Sequence, residues 1–114
     1  MTRLLRIAFW AAALFAFTMA VLPHPPQVPV WDKLQHMTAF FVITVLGRAA
    51  YHEVSRKILL PALIGFGGLI ELVQMIPVLH RDSDWHDLVA DIIAVVAALV
   101  IVSLLERFRA APSD

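Results

Sequence analysis

The sequence predicts an all-α protein, a four-helix transmembrane bundle with both termini in the cytoplasm. The first observation is composition: the 114 residues are 61% hydrophobic and 16% charged, whereas soluble domains average about 45–50% apolar and about 25% charged residues. A soluble chain this short could not bury so much apolar surface in one core. The second observation is that the apolar residues form four runs, and the third is an uneven distribution of Lys and Arg between the ends of those runs.

The first predicted span covers residues 4–22, with Arg3 before it and Arg6 in its first turn. Its length is close to the ~20 residues that a bilayer requires. A basic start before an apolar run is also typical of a cleavable signal peptide. We expect a retained span, with the mature protein beginning at or near Met1, because the run is long enough to cross the bilayer. The prolines of residues 23–29 predict a short, stiff linker after it.

The second and third predicted spans cover residues 34–51 and 58–79. Asp32 is well placed to cap the second helix, because an aspartate there accepts hydrogen bonds from free backbone N–H groups. Pro61 suits a position near the start of the third helix. Pro77 is expected to kink or end that helix, because proline lacks the backbone N–H that a helix interior requires.

The fourth predicted span covers residues 88–105 and follows a polar loop at residues 80–87. A polar tail completes the chain. No internal repeat and no low-complexity tract interrupts the pattern. Residues 1–114 are therefore interpreted as one transmembrane domain with four spans.

Orientation follows from the Lys and Arg residues near the span ends, which favour the cytoplasmic side of a membrane. Seven lie at the N-terminus, in the second loop or in the tail, and two lie in the first and third loops. The larger group is Arg3, Arg6, Arg48, Arg56, Lys57, Arg107 and Arg109, and the smaller is Lys33 and Arg81. Both termini are therefore predicted to be cytoplasmic, and the first and third loops to face outward.

The third span contains the most unusual polar residues, Glu71 and Gln74, three residues apart and hence on one helix face. Gly67 and Gly68 lie one turn earlier on roughly the same stripe, which predicts close approach of a neighbouring helix. A carboxylate within an apolar span almost always faces protein or a water-filled cavity. Glu71 is therefore expected to point into the bundle.

The predicted topology places further polar side chains at the same depth. At ~1.5 Å per helical residue, Glu71 lies about 9 Å below Pro77, and Asp91 about 6 Å below Asp87. Asp87 and Asp91 are four residues apart, hence on one face, and His36 enters from the outer end of the second helix. We expect one coupled polar cluster in the outer half of the bundle and no comparable set in the inner half. Its members are His36, Glu71, Gln74, Arg81, Asp87 and Asp91.

These residues form a pattern that resembles the VanZ-like membrane proteins. The matching pieces are Leu22-Pro23 ahead of Asp32-Lys33-x-x-His36, then Glu71-x-x-Gln74, then Arg81 followed by Asp87-x-x-x-Asp91. The family often has Asn at the position of Asp91 and Gly at that of Ala94. The resemblance implies a small multi-pass protein of the bacterial cytoplasmic (inner) membrane. It also implies a role in the cell envelope, because the family is associated with reduced susceptibility to lipid-tailed glycopeptide antibiotics such as teicoplanin.

Each candidate residue also has a purely structural interpretation. Glu71 is either a hydrogen-bonded carboxyl that holds helices together or an acid that binds a ligand or transfers a proton. Gln74 is more typical of helix-to-helix bonding. Asp87 is either a helix-start residue or part of the site, with Asp91 one turn deeper. His36 is either an interfacial histidine or a base that partners Glu71. Arg81 either neutralises the acids, binds a phosphate or lies among lipid headgroups.

Several classes of site and partner are not expected. The net charge of zero does not favour a nucleic-acid surface. The chain has no cysteine, and it lacks H-E-x-x-H or a similar metal signature. We therefore expect no metal and no cofactor. Lys33 is expected to extend its ammonium group to the membrane interface.

Three functions remain in competition. The first is a binding protein whose outer-leaflet polar pocket takes a membrane lipid, an envelope precursor or a lipid-tailed glycopeptide, and so lowers antibiotic susceptibility. The second is a small structural subunit of a larger membrane protein complex. The third is an enzyme that uses His36 and the carboxylates for acid–base chemistry on a lipid-linked substrate. The sequence favours a binding protein over an enzyme.

Overall fold

The computed structural model consists of four α-helices and describes residues 1–22, 32–76 and 85–110. No β-strand occurs in these three segments. The predicted all-α class with four helices is confirmed. The helices are α1 (Thr2–Val21), α2 (Asp32–Ala50), α3 (Arg56–Gln74) and α4 (Trp85–Ala110).

Helix α3 is shifted toward the N-terminus relative to the prediction of 58–79. Its N-cap is Ser55, whose hydroxyl accepts a hydrogen bond from the backbone N–H of Lys57 at 3.2 Å. It ends at Gln74, and the next residue, Met75, donates its backbone N–H to the Leu72 carbonyl at 3.2 Å. The predicted end at residue 79 is therefore wrong. The physical reason is proline: the ring of Pro77 disfavours a helical conformation in the residue before it.

Helix α4 is longer at both ends than the predicted span 88–105. It begins at Trp85, so Asp87 lies in its first turn. It continues to Ala110 and includes Glu106. The polar tail remains helical in this part because Glu106 accepts hydrogen bonds from arginines of two other segments, as described below.

Among the described residues, three helices are long and apolar enough to cross a membrane: α1, α3 and the Trp85–Arg109 part of α4. Helix α2, which was also predicted to be a span, is not among them. Its 19 residues include charged side chains near both ends, Asp32 and Lys33 at the start and Arg48 at the end. Its composition therefore distinguishes α2 from the other three helices, although α2 packs extensively on α4 and α1.

The four helices form a ring in the order α1, α2, α4, α3, with α2 packed most extensively on α4 and α1. A side chain at Gly47 would place its Cβ 2.9 Å from the Phe9 ring, so α1 and α2 approach closely there. Ala94 and Ala98 on α4 are buried, and small residues at this spacing allow neighbouring helices to approach closely. The largest fully buried apolar side chains are Phe40, Ile43, Ile70 and Val95.

The two adjacent glycines of α3 face different surroundings. A Cβ on Gly67 would lie 3.4 Å from both Asp91 Oδ2 and Phe40 Cζ, so α3 and α4 approach closely there. A Cβ on Gly68 would meet nothing within 4 Å. The expectation of close packing is confirmed for Gly67 and wrong for Gly68, because successive helical residues are rotated by roughly 100°.

Candidate functional site

Three helices bring the predicted polar residues together at one end of the bundle. Glu71 and Gln74 on α3 and Asp87 and Asp91 on α4 are all buried. His36 on α2 is half-buried beside them. Arg81, the remaining predicted member, lies outside the described residues.

Asp91 lies at the centre of this end, between α2 and α3, and is only 1% exposed. Its Oδ1 is 3.9 Å from Nδ1 of His36, which is longer than a hydrogen bond. Neither carboxylate oxygen accepts a hydrogen bond from any residue that the structure describes. The carboxylates of Glu71 and Asp87 also repel its negative charge. Three acids therefore share one region of low dielectric, where unmatched charge is costly.

Asp87 pairs with Lys33, which sequence reasoning had placed at the membrane interface. Lys33 Nζ donates to Asp87 Oδ1 at 2.9 Å, and the aspartate side chain is 7% exposed. The bond joins the first turn of α2 to the first turn of α4. The hydrogen bond gives Lys33 a specific partner, which the interfacial expectation did not include. A sequence signal was present, because Lys33 precedes His36 by three residues and so shares its helix face.

We call Lys33, His36, Glu71, Asp87 and Asp91 the acidic cluster. It contains three carboxyl groups, one lysine and one histidine. The lysine bonds to Asp87, and neither oxygen of Asp91 accepts a hydrogen bond from a described residue. The cluster is consequently rich in hydrogen-bond acceptors.

Gln74 lies on α3 but connects to a different helix. Its Nε2 donates to the Ala20 carbonyl at 2.9 Å, and the side chain is fully buried. Ala20 is in the last turn of α1, where backbone carbonyls have no partner within their own helix. This bond supports the structural interpretation of Gln74, which holds α3 against the end of α1.

A groove of about 600 Å³ opens between α3 and α4 beside the acidic cluster. Its walls are mostly apolar, and Glu71 is the carboxylate among them. Glu71 follows Gly67 by four residues and Gly68 by three, so it lies at the boundary between the packed interior and the groove. The lining residues are Gly65, Gly68, Leu69, Glu71, Leu72, Met75, Trp85 and Leu88.

The opposite end of the bundle carries a second polar set, which lies largely at the surface: the Arg6 and Glu53 side chains are 42% and 52% exposed. Arg6 donates to Glu53 Oε1 at 2.7 Å and to the Ala50 carbonyl at 3.2 Å. Its guanidinium carbon lies 4.6 Å from the centre of the Tyr51 ring. Trp10 Nε1 donates to the Tyr51 hydroxyl at 2.7 Å. These bonds join α1 to the end of α2 and the loop after it.

Glu106 connects three segments at the same end. Arg48 donates to both of its carboxylate oxygens, at 2.9 and 3.1 Å, and Arg56 donates to Oε2 at 2.8 Å. We call Arg6, Arg48, Glu53, Arg56 and Glu106 the arginine network. No charged residue of this network is among the buried residues, so it does not contradict the prediction that this half lacks a set comparable to the acidic cluster. The sequence interpretation treated the arginines only as signals of orientation and did not anticipate the network.

The described residues limit the chemistry of the acidic cluster. Among them, no group of three or more His, Asp or Glu side chains is arranged to hold a metal ion. The α2 hydroxyl nearest the core, Thr44, donates to the Phe40 carbonyl of its own helix at 2.6 Å. The cluster therefore offers acids and one histidine for binding or proton exchange. The Thr44 hydroxyl is already hydrogen-bonded within its own helix.

Comparisons with known proteins do not assign a family. No protein-family model matches the chain. No curated protein sequence matches it. No solved structure matches it. Function therefore has to be inferred from the geometry and from the resemblance described above.

Proposed function

We propose that this chain is a VanZ-like multi-pass protein of the bacterial cytoplasmic membrane whose outer-leaflet pocket binds an amphiphile. The candidate amphiphiles are a membrane lipid, an envelope precursor or a lipid-tailed glycopeptide antibiotic. The observation that carries the proposal is the groove between α3 and α4, which is apolar along most of its wall and has Glu71 at its boundary with the acidic cluster. An acyl chain matches the apolar walls, and a polar head matches the cluster.

The proposed topology has four spans with both termini in the cytoplasm. At ~1.5 Å per residue, the 19 residues of α2 extend about 28 Å, close to the ~30 Å of a hydrocarbon core. Lys33 pairs with Asp87 and Arg48 with Glu106. Because both charged ends of α2 are paired with α4, the cost of placing α2 in the membrane is reduced. The seven-to-two distribution of basic residues supports the orientation.

Ligand binding is tested directly by native mass spectrometry of the full chain purified in mild detergent. We expect one amphiphile to remain bound to the wild type and to be lost from Glu71→Gln, which keeps the shape of the side chain. The matched control is Glu53→Gln at the opposite end, which should retain the ligand. Wild-type protein that carries no amphiphile under conditions that preserve its fold would refute the proposal.

The effect on antibiotic susceptibility is tested in a susceptible Gram-positive host. We expect expression of the wild type to raise the inhibitory concentration of teicoplanin more than that of a glycopeptide without a lipid tail. Glu71→Gln should lose this effect at equal membrane abundance. Equal inhibitory concentrations with and without the protein would remove the antibiotic from the list of ligands.

A structural subunit of a larger membrane complex is the second candidate. The observation in its favour is the outer face of α1, where Leu4, Trp10, Leu14 and Phe15 are exposed. Such a face packs equally well against lipid or against another helix. Stoichiometric co-purification of another membrane protein, with no bound amphiphile, would favour this function.

A further inference from the structure

A second groove follows the outward face of α1, at the end of the bundle that carries the arginine network. Its volume is about 630 Å³, and all of its lining residues belong to α1. Arg3 and Arg6 lie at one end of it, and Ile7, Trp10 and Leu14 form most of the remaining wall. The groove therefore joins two guanidinium groups to a continuous apolar surface.

The two arginines differ in their partners. Arg6 donates to Glu53 and to the Ala50 carbonyl, so its charge is matched within the protein. Arg3 is exposed and has no hydrogen bond or ion pair with any residue that the structure describes. Arg3 consequently supplies a positive charge at the end of the groove that no described carboxylate neutralises.

We propose that this groove binds a phospholipid with a net negative head group, such as phosphatidylglycerol, whose phosphate accepts hydrogen bonds from Arg3. One acyl chain of the lipid lies along Ile7, Trp10 and Leu14. This inference goes beyond the proposed function, because it concerns the opposite end of the bundle and uses no residue of the acidic cluster.

The length of the groove matches one lipid in one leaflet. Ile7, Trp10 and Leu14 follow Arg3 by four, seven and eleven residues, a spacing that places them on one face of the helix. Their side chains are 58%, 60% and 67% exposed. At ~1.5 Å per residue, Leu14 lies about 16 Å from Arg3 along the axis, and half of a ~30 Å hydrocarbon core is about 15 Å. A lipid head at Arg3 therefore places the end of its chain near Leu14.

Charge selects the head group. A guanidinium group presents N–H donors in a planar fork that matches two phosphate oxygens. In phosphatidylethanolamine the ammonium group of the lipid already neutralises the phosphate, whereas in phosphatidylglycerol the negative charge remains. Basic side chains at the membrane surface attract lipids of net negative charge. Phosphatidylglycerol is therefore expected to displace phosphatidylethanolamine from the groove.

Trp10 provides a reporter within the groove, because its indole N–H donates to the Tyr51 hydroxyl at 2.7 Å and so holds the ring in place. The chain has three tryptophans, so Trp31→Phe with Trp85→Phe leaves Trp10 alone. This full-length variant is placed in nanodiscs of phosphatidylglycerol and phosphatidylethanolamine at one fixed ratio. Bromine, which quenches tryptophan fluorescence, is carried by the chains of one lipid or of the other. The composition is then identical and only the quenching lipid differs.

We expect brominated phosphatidylglycerol to be preferred at Trp10 by about fivefold, the size that one basic side chain contributes at an anionic lipid surface. Arg3→Gln should abolish the preference, and Arg3→Lys, which keeps the charge, should keep most of it. The matched control is Arg109→Gln, which removes the charge of an exposed arginine in the last turn of α4, outside the groove. This control should keep the preference. Circular dichroism verifies that each variant is folded.

Three results would overturn the inference. Equal quenching of Trp10 by both lipids would show that the groove does not select a negative head group. A preference that survives Arg3→Gln, or that Arg109→Gln removes equally, would not come from a site at Arg3. Absence of quenching by either lipid would mean that protein covers this face of α1, as in a larger complex. The proposed function fails on a different measurement, the retention of an amphiphile that depends on Glu71, so the two failures are distinguishable.

Discussion

The two ends of the bundle use charge in opposite ways. In the arginine network, Glu106 receives hydrogen bonds from two guanidinium groups and Glu53 from a third. In the acidic cluster, Asp91 receives none from the described residues and is close to two further acids. Matched charges lower the energy of one folded arrangement, whereas a surplus of one sign raises it. The comparison predicts that the ion pairs of the arginine network contribute to stability and that the charge of Asp91 does not.

The largest expected effect comes from Gly67→Leu, which adds volume between Asp91 and Phe40. Overpacking of this kind commonly costs about 1–3 kcal/mol. The matched control is Gly68→Leu, where a Cβ meets nothing within 4 Å. That control should leave the thermal midpoint in detergent nearly unchanged while it narrows the groove and weakens ligand binding. Equal losses of stability in the two variants would show that the groove is not open beside Gly68.

The second-largest loss of stability is expected for Glu106→Gln in the arginine network. The change removes the charge that Arg48 and Arg56 share, and the Arg48 side chain is only 14% exposed. Hydrogen bonds to charged groups contribute about 1.5–3 kcal/mol, but the Glu106 side chain is 37% exposed and solvent reduces that value. We expect a loss of about 1–2 kcal/mol in thermal or denaturant unfolding. An unchanged stability would mean that this end is not held by its ion pairs.

A coupling between Glu71 and Asp91 is the third expected effect. Both acids belong to one cluster and their negative charges repel each other. Removing the charge of one should therefore reduce the free-energy cost of burying the other. In a cycle of Glu71→Gln and Asp91→Asn, we expect the two changes in unfolding free energy to be non-additive by more than ~0.5 kcal/mol. The measurement is thermal melting of the two single variants and the double variant. Additivity within ~0.3 kcal/mol would show that the two carboxylates do not act on each other, and the acidic cluster would have to be abandoned as a unit.

The smallest change in stability is expected for Asp91→Asn alone. Like Glu106→Gln, this substitution replaces a carboxylate by an amide. Asp91 repels Glu71 and Asp87 and is 3.9 Å from His36. Loss of its charge should therefore leave stability unchanged or raise it slightly. The contrast with Glu106→Gln, measured by the same thermal melt, is the sharpest test of the comparison between the two ends. A loss as large as that of Glu106→Gln would mean that Asp91 is held by a partner as Glu106 is.

The sequence by itself determined the class of fold and the number of helices. Long apolar runs and proline positions act locally, through burial and through the backbone, so four helices were predictable without any knowledge of their neighbours. The spacing of Glu71 from Gln74 and of Asp87 from Asp91 likewise placed each pair on one helix face. The prediction that Glu71 points into the bundle agrees with its burial, and Gln74, Asp87 and Asp91 are buried as well.

Only the tertiary structure decided which groups meet. Gly67 packs and Gly68 does not, because the rotation of α3 about its axis depends on its contacts with α4. Gln74 bonds to Ala20, Lys33 to Asp87 and Arg48 to Glu106. Each of these bonds joins two helices that are not consecutive in the chain. A polar side chain at a helix end has several partners within reach, and no local pattern selects among them. The packing of the four helices makes that selection, since it sets which ends lie within the ~3 Å of a hydrogen bond.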